Sequence, residues 1–176
     1  RSHIKFSAPN TILSGKRVDI GRDLTEKLMK RGRPIIALRP VLVWDALFGR
    51  VIRSRKVEEA IRIENSMLRR TLHRDRITDD GVWGCNFSLS KELFYTVNGC
   101  DEDFIDGSIE DNDLGIRVLN QGGELRSVRN LAIIFHLWHR SSWSFQNEKY
   151  RHNLAIMERR IMNKEKQCRN GIRLID

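Results

Sequence analysis

The sequence predicts an α/β domain in which a mixed sheet is flanked by helices. Two observations carry that expectation. Stretches with helical apolar spacing alternate with short β-rich stretches, in the order helix, helix, strand, helix, helix, strand, strand, helix. The chain of 176 residues, 40% hydrophobic and 31% charged, is also long enough for one soluble domain with a core of its own.

The elements follow in chain order. Residues 7–21, SAPNTILSGKRVDIG, read as a loop entering a short strand. RDLTEKLMKRG reads as a helix, with Asp23 in its first turn and Gly32 just past its end. After two prolines at Pro34 and Pro40, VLVWDALFGRVIRS carries Val41, Trp44, Leu47, Phe48 and Val51 at helical spacing, which predicts packing against the core. VEEAIRIENSMLRRTLHR is expected to continue as a charged helix. VWGCNFSLS has the alternation of a strand, and KELFYTVNG is a short helix stopped by Asn98-Gly99. A helix over Asp113–Gln121 ends at Gly122-Gly123, and ELRSVRN and LAIIFHLWH read as two strands. Residues 145–168 form the last element, an amphipathic helix with Leu154, Met157 and Ile161 on its apolar face.

Charge is unevenly spread. The formal net charge is +9, yet Asp101 to Asp113 holds seven acids in thirteen residues, and Arg50 to Arg76 holds nine Lys or Arg. The basic stretch suits an anionic membrane surface or a solvated helix. No zinc-finger spacing or aromatic-basic strand pattern points to nucleic acid, so no nucleic-acid partner is expected. No run of eighteen apolar residues and no signal-peptide pattern is present. Three cysteines, Cys85, Cys100 and Cys168, lack CxxC spacing, which suggests a reducing cytoplasm rather than a disulfide framework.

The acidic run ends in SIEDNDLG, where Glu110, Asp111 and Asp113 fall within four residues. Carboxylates at a helix start are favoured by the macrodipole by roughly 0.3–1 kcal/mol each, which accounts for one or two of them but not for seven. An EF-hand fails because placing Gly107 at the turn position puts Phe104 where an acid is required. The remaining reading is a general base, held at a helix N-terminus with its proton affinity raised by its acidic neighbours. In FHLWH, His136 and His139 stand three apart at a strand end; both can face one ion only if the chain turns. The alternative is that one of them is a packed, hydrogen-bonded core residue. Mixed carboxylate and imidazole ligands would suit Mn²⁺ or a related ion.

Taken together, GCNFSLSKELFYTVNGCDEDF, EDNDLGIRVLNQGG and LAIIFHLWH resemble the C-terminal half of GT-A glycosyltransferases, of the bacterial family 2 and galactosyltransferase-like type. The resemblance is clearest from Val82 to His139. It implies that residues 1–176 are a single partial domain, the acceptor-side, metal-binding half of that fold. It implies inverting transfer of a sugar from a nucleotide-sugar donor to a glycan or lipid-linked hydroxyl acceptor, with Mn²⁺ (or Mg²⁺), in surface-polysaccharide or lipopolysaccharide synthesis at the inner membrane face. By that resemblance Asp111 is the base, Glu110 orients the acceptor, His139 and His136 are metal ligands, and Trp83, Gly84, Asn86 and Asp113 belong to the substrate site. Two departures accompany it: IDGSIED stands where galactosyltransferase-like members carry a Trp- and Gly-rich run, and no DxD segment precedes LSGKRV. The chain is therefore not expected to turn over alone, and its uncovered face is expected to dimerise. The alternative function is a non-catalytic binding or scaffold protein that keeps half of a transferase domain.

Overall fold

A computed structural model describes residues 1–32, 40, 44, 55–77, 81–106, 108–140 and 148–175. The strands are β1 (Thr11–Ser14), β2 (Arg17–Asp19), β3 (Phe87–Ser88), β4 (Glu124–Ser127) and β5 (Ile134–His136). The α-helices are α1 (Ser2–Phe6), α2 (Arg22–Arg31), α3 (Ser66–Thr71), α4 (Lys91–Thr96), α5 (Glu110–Asn120) and α6 (Glu148–Asn163). The α/β expectation with a mixed sheet flanked by helices holds. One sheet has the order β3-β1-β4, with β1 antiparallel to β3 and parallel to β4; β2 and β5 form a parallel pair.

The β1 strand is the spine. Successive side chains of a strand face opposite ways, and here both faces are covered. Ile12 packs with Val82, Leu93, Val97, Leu114 and Val118, while Leu13 packs with Val128 and Leu131. That double burial is why all four residues of TILS are buried, with adjacent Ile12 and Leu13 apolar on opposite faces. Beyond Gly15 the chain re-enters as β2, whose Val18 joins Ile20 and Ala60 in a third cluster.

Local chemistry sets the helix ends. Asn65 and Ser90 cap α3 and α4 by accepting the N–H groups of Leu68 (2.9 Å) and Leu93 (3.1 Å). Gly32 closes α2 in the left-handed conformation (φ 58°), and Asn98 and Gly99 (φ 65° and 76°) turn the chain after α4 as expected.

Several expectations are corrected. The charged helix over residues 57–74 is instead a 3₁₀ turn (Val57–Ala60) and α3, joined by extended chain. The reason is competition from side chains: Asn130 Nδ2 donates to the carbonyls of Glu58 (2.9 Å) and Ile61 (2.8 Å), and Asn130 O accepts from Ile63 N (3.0 Å). α5 begins at Glu110, three residues before the expected start, so all three carboxylates lie in its first turn. β3 and β5 occupy only two and three residues of the stretches read as strands, and α1 was not foreseen. Val41, Leu47, Phe48 and Val51 lie outside the described residues; Trp44, expected to pack inward, is 65% exposed.

The last helix departs most from the apolar-face reading. Its buried side chains are Asn153, Ile156 and Arg160, and Ile161 is half exposed. Arg160 enters a buried ionic cluster. Its Nη1 donates to Asp113 Oδ1 and its Nη2 to Asp101 Oδ2 (2.8 Å). Arg117 Nε donates to Asp113 Oδ2 (2.9 Å), and its Nη1 to the carbonyls of Val97 and Gly99. Burial disfavours the Arg160 charge, but hydrogen bonds and attraction from Asp113 and Asp101 outweigh it and raise its proton affinity above the ordinary value. Among the described residues no helix is long and apolar enough to cross a membrane.

The Asp113→Ala variant leaves two buried guanidinium groups without their shared carboxylate. It is expected to lose about 3–5 kcal/mol of stability, read as a lowered urea midpoint with an unchanged m-value.

Candidate functional site

The site is assembled where the first turn of α5 meets the segment between Gly81 and Asn86. Three contacts fasten them. Asn112 Oδ1 accepts from Val82 N (2.9 Å), Asp111 Oδ2 accepts from Gly84 N (2.6 Å), and Ser14 Oγ on the spine strand accepts from Trp83 N (3.1 Å). A Cβ at Gly84 would meet Asp111 Oδ2 at 3.1 Å, so a larger residue there would press on that carboxylate by a few tenths of an ångström.

Asp111 and Glu110 are both half-buried at the helix start. Burial pushes the Asp111 carboxyl above the usual aspartate range, against hydrogen bonds from the N–H groups of Gly84 and Asn112 and the charge of Arg17. Burial also raises Glu110, with the Asp111 charge adding to it. Glu110 Oε2 is buried without a hydrogen-bond partner. That oxygen is closed to solvent and meets an incoming hydroxyl only if the side chain turns, whereas Asp111 beside it is a carboxylate that can take a proton.

His136 and His139 do come together. The β5 strand ends at His136, the chain turns, and the two Nε2 atoms stand 3.3 Å apart with ring centroids 5.0 Å apart. The turn is held by Trp138 N donating to Thr25 Oγ1 (2.9 Å) and by Arg22 stacked over the Trp138 ring (4.9 Å). Two bonds of roughly 2.1 Å to one ion, diverging at near-tetrahedral or right angles, span about 3.0–3.4 Å, so the pair fits two neighbouring coordination positions. β-pairing sets Asp19 beside His136, with 3.8 Å between Asp19 Oδ1 and His136 Nδ1. Burial lowers the His136 proton affinity, as do Arg17 and His139, while Asp19 opposes them; the lowered value favours the neutral imidazole a metal requires. Among the described residues no group of three His, Cys, Asp or Glu is arranged around one ion.

Two expected substrate residues serve the framework instead. Asp113 is fully buried, with both oxygens committed to Arg117 and Arg160, so it offers nothing to a ligand. Asn86 is 4% exposed; its Nδ2 donates to the carbonyls of Lys16 (2.7 Å) and Ala132 (2.9 Å), and its Oδ1 faces His3 Nε2 (2.9 Å). It ties the junction of β1 and β2, the chain ahead of β5 and the N-terminal helix together. The basic stretch is likewise not a uniform face. Arg69 is buried on Ser127 O (3.0 Å), and Arg74 pairs with Glu59 (3.2 Å). A surface hollow of about 700 Å³ lies at Gln121 and Asn163–Gln167, away from the carboxylates and the His pair.

Sequence reasoning missed Arg17 and Asp19. They are joined by a 2.8 Å ion pair, and Arg17 bears electrostatically on both Asp111 and His136. Their signal was the i, i+2 spacing in KRVD, which puts both on one face of a strand.

Residues 70–140 match a family model described as the N-terminal domain of galactosyltransferase. The segment is galactosyltransferase-like. It contains the carboxylates at 110 and 111, the 82–84 segment and both histidines. The matching family is described by its N-terminal domain, whereas the resemblance of the motifs is to a C-terminal half; the match bears on the kind of domain, not on which half it is. No curated protein and no solved structure matches the chain.

Because the folded-state affinity of Asp111 is raised, its ionisation weakens the fold. Below the ordinary aspartate pKa both states are protonated and nothing is lost; as pH rises through that range the unfolded chain ionises first and stability falls. Asp111→Asn has no such ionisation, and its amide oxygen can accept from only one of Gly84 N and Asn112 N; the expected signature is therefore in the pH dependence, with the melting temperature of wild type falling relative to that of the variant between pH 3 and pH 7. Thermal unfolding at the two pH values checks this.

Proposed function

We propose that this chain is the acceptor-side portion of a metal-dependent, inverting glycosyltransferase of GT-A, family 2 type, acting on a nucleotide-sugar donor and a glycan or lipid-linked hydroxyl acceptor. The observation that carries the reading is Asp111. It is a half-buried carboxylate of raised proton affinity, clamped by two backbone N–H groups at the mouth of a helix, inside the galactosyltransferase-like segment.

In the proposed reaction the acceptor hydroxyl is oriented by the Glu110 carboxylate and loses its proton to Asp111. Its oxygen forms the new bond to the anomeric carbon, while the bond from that carbon to the diphosphate breaks and its electron pair leaves with the phosphate oxygen. His136 and His139 would hold a divalent ion, Mn²⁺ in preference to Mg²⁺ given imidazole ligands, which would supply Lewis-acid neutralisation of the leaving diphosphate. Asp19 Oδ1, 3.8 Å from His136 Nδ1 and bonded to Arg17, would act on that ring through its charge rather than through a hydrogen bond. The setting proposed is surface-polysaccharide or lipopolysaccharide synthesis at the cytoplasmic face of a membrane. There the exposed Arg55, Arg70 and Arg76 would meet anionic lipid, at about 1 kcal/mol per well-placed side chain.

Asp111→Asn in the intact protein is expected to lower kcat about 10²–10⁴-fold with folding retained; near-wild-type transfer would remove Asp111 as the base. In Mn²⁺ titrations His139→Ala is expected to bind at least about tenfold more weakly, consistent with the loss of one of two imidazole ligands. Unchanged affinity rejects that ligand.

A further inference from the structure

The short helix α3 inverts the expected helix pattern. Its buried side chain is Arg69, 9% exposed, whose Nη2 donates to the carbonyls of Ser127 (3.0 Å) and Arg74 (3.2 Å). Its apolar residues face out. Met67 is 78% exposed, and Leu68 and the C-cap residue Leu72 are each 47% exposed. At about 100° per residue, Met67 stands about 160° around the helix axis from Arg69. Burial lowers the proton affinity of Arg69, with the Asp75 charge opposing it. Single exposed apolar residues are ordinary. Three within one short helix, on the side away from its own buried arginine, cost the fold both apolar burial and desolvation of a charge.

The rim of this face is positive. Arg70 and Arg76 are exposed, and among the described residues neither is paired with an acid. The acids nearest in sequence are Glu64, paired with Arg62 (2.7 Å), and Asp75, which bears on Arg69. A two-fold contact between copies of this chain would set these arginines against their own counterparts, which opposes it. Apolar side chains rimmed by cations match the headgroup–acyl boundary of an anionic bilayer.

The sheet places this face at the same end as the carboxylate site. Ser127, whose carbonyl holds Arg69, ends β4, and its register partner on β1 is Ser14, whose Oγ holds Trp83 N. Paired strands lie about 4.8 Å apart. α3 and the 81–86 segment are therefore anchored on neighbouring strands, both at their C-terminal ends.

We propose that α3 is the membrane contact of this chain: Met67, Leu68 and Leu72 enter the surface of an anionic bilayer, and Arg70 and Arg76 pair with its phosphates. The assignment rests on the membrane setting proposed above and deepens it by naming the segment that enters the lipid. Contact there brings a lipid-linked acceptor to the end of the sheet that carries Asp111.

The test uses vesicles and no turnover, so its failure leaves Asp111 as the base untouched, and failure of that base leaves α3 untouched. The full chain is sedimented with phosphatidylcholine vesicles and with vesicles that also contain phosphatidylglycerol, and amide hydrogen exchange is followed on both. Binding is expected to be at least about tenfold tighter to the anionic vesicles, with exchange slowed over residues 66–72. Met67→Ser is expected to bind at least about tenfold more weakly while melting with wild type, since that side chain is mostly exposed. Arg70→Gln combined with Arg76→Gln is expected to erase the preference for anionic lipid. Equal binding to the two vesicle types overturns the proposal, as does binding to neither. Binding that Met67→Ser leaves unchanged, or that leaves exchange over 66–72 unchanged, also overturns it. A dimer in free solution that Met67→Ser dissociates assigns the face to a second copy of the chain and overturns it as well.

Discussion

The rest of the structure depends on one buried ion cluster. Asp113 receives Arg117 from its own helix and Arg160 from the last helix, and Arg160 reaches on to Asp101 in the loop after α4. Two carboxylates and two guanidinium groups balance in charge, which is the condition under which burial is tolerable. Arg117 also takes the carbonyls of Val97 and Gly99, where the chain leaves α4 with no helical partner for them. Two segments distant in sequence, the chain at Val97–Asp101 and the last helix, are thereby fixed to α5.

That fixing sets the chemistry. Asp111 and Asp113 are two residues apart on a helix, hence about 200° apart around its axis. Locking Asp113 inward turns Asp111 outward, toward Gly84 and Trp83. The same first turn thus serves two purposes: one acid closes the core, and its neighbours face the site with proton affinities raised by burial. Gly115 makes the approach feasible, since a Cβ there would meet Val82 Cγ2 at 2.7 Å.

On the other side of the site, strand register does the equivalent work. Pairing Asp19 with His136 puts a carboxylate next to an imidazole, and Arg17, two residues earlier on the same face, links that pair electrostatically to Asp111. The Arg17 charge thus lowers the proton affinity at both the carboxylate end and the histidine end.

The local sequence by itself determined the α2 helix with its glycine stop, the turn at Asn98-Gly99, and the presence of a helix behind SIEDNDLG. Each is written in residues that are neighbours along the chain, as caps, left-handed turn residues or periodic apolar positions. Tertiary structure alone decided which acid points where, and that α6 buries Asn153 and Arg160 rather than Ile161. It also decided that Asn130 dissolves the expected helix over 57–74, and that α3 turns Arg69 in and Met67 out. These outcomes hinge on partners many residues away. A buried charge can be read as core only once its counter-charge is found, and a local pattern records propensity without naming that partner.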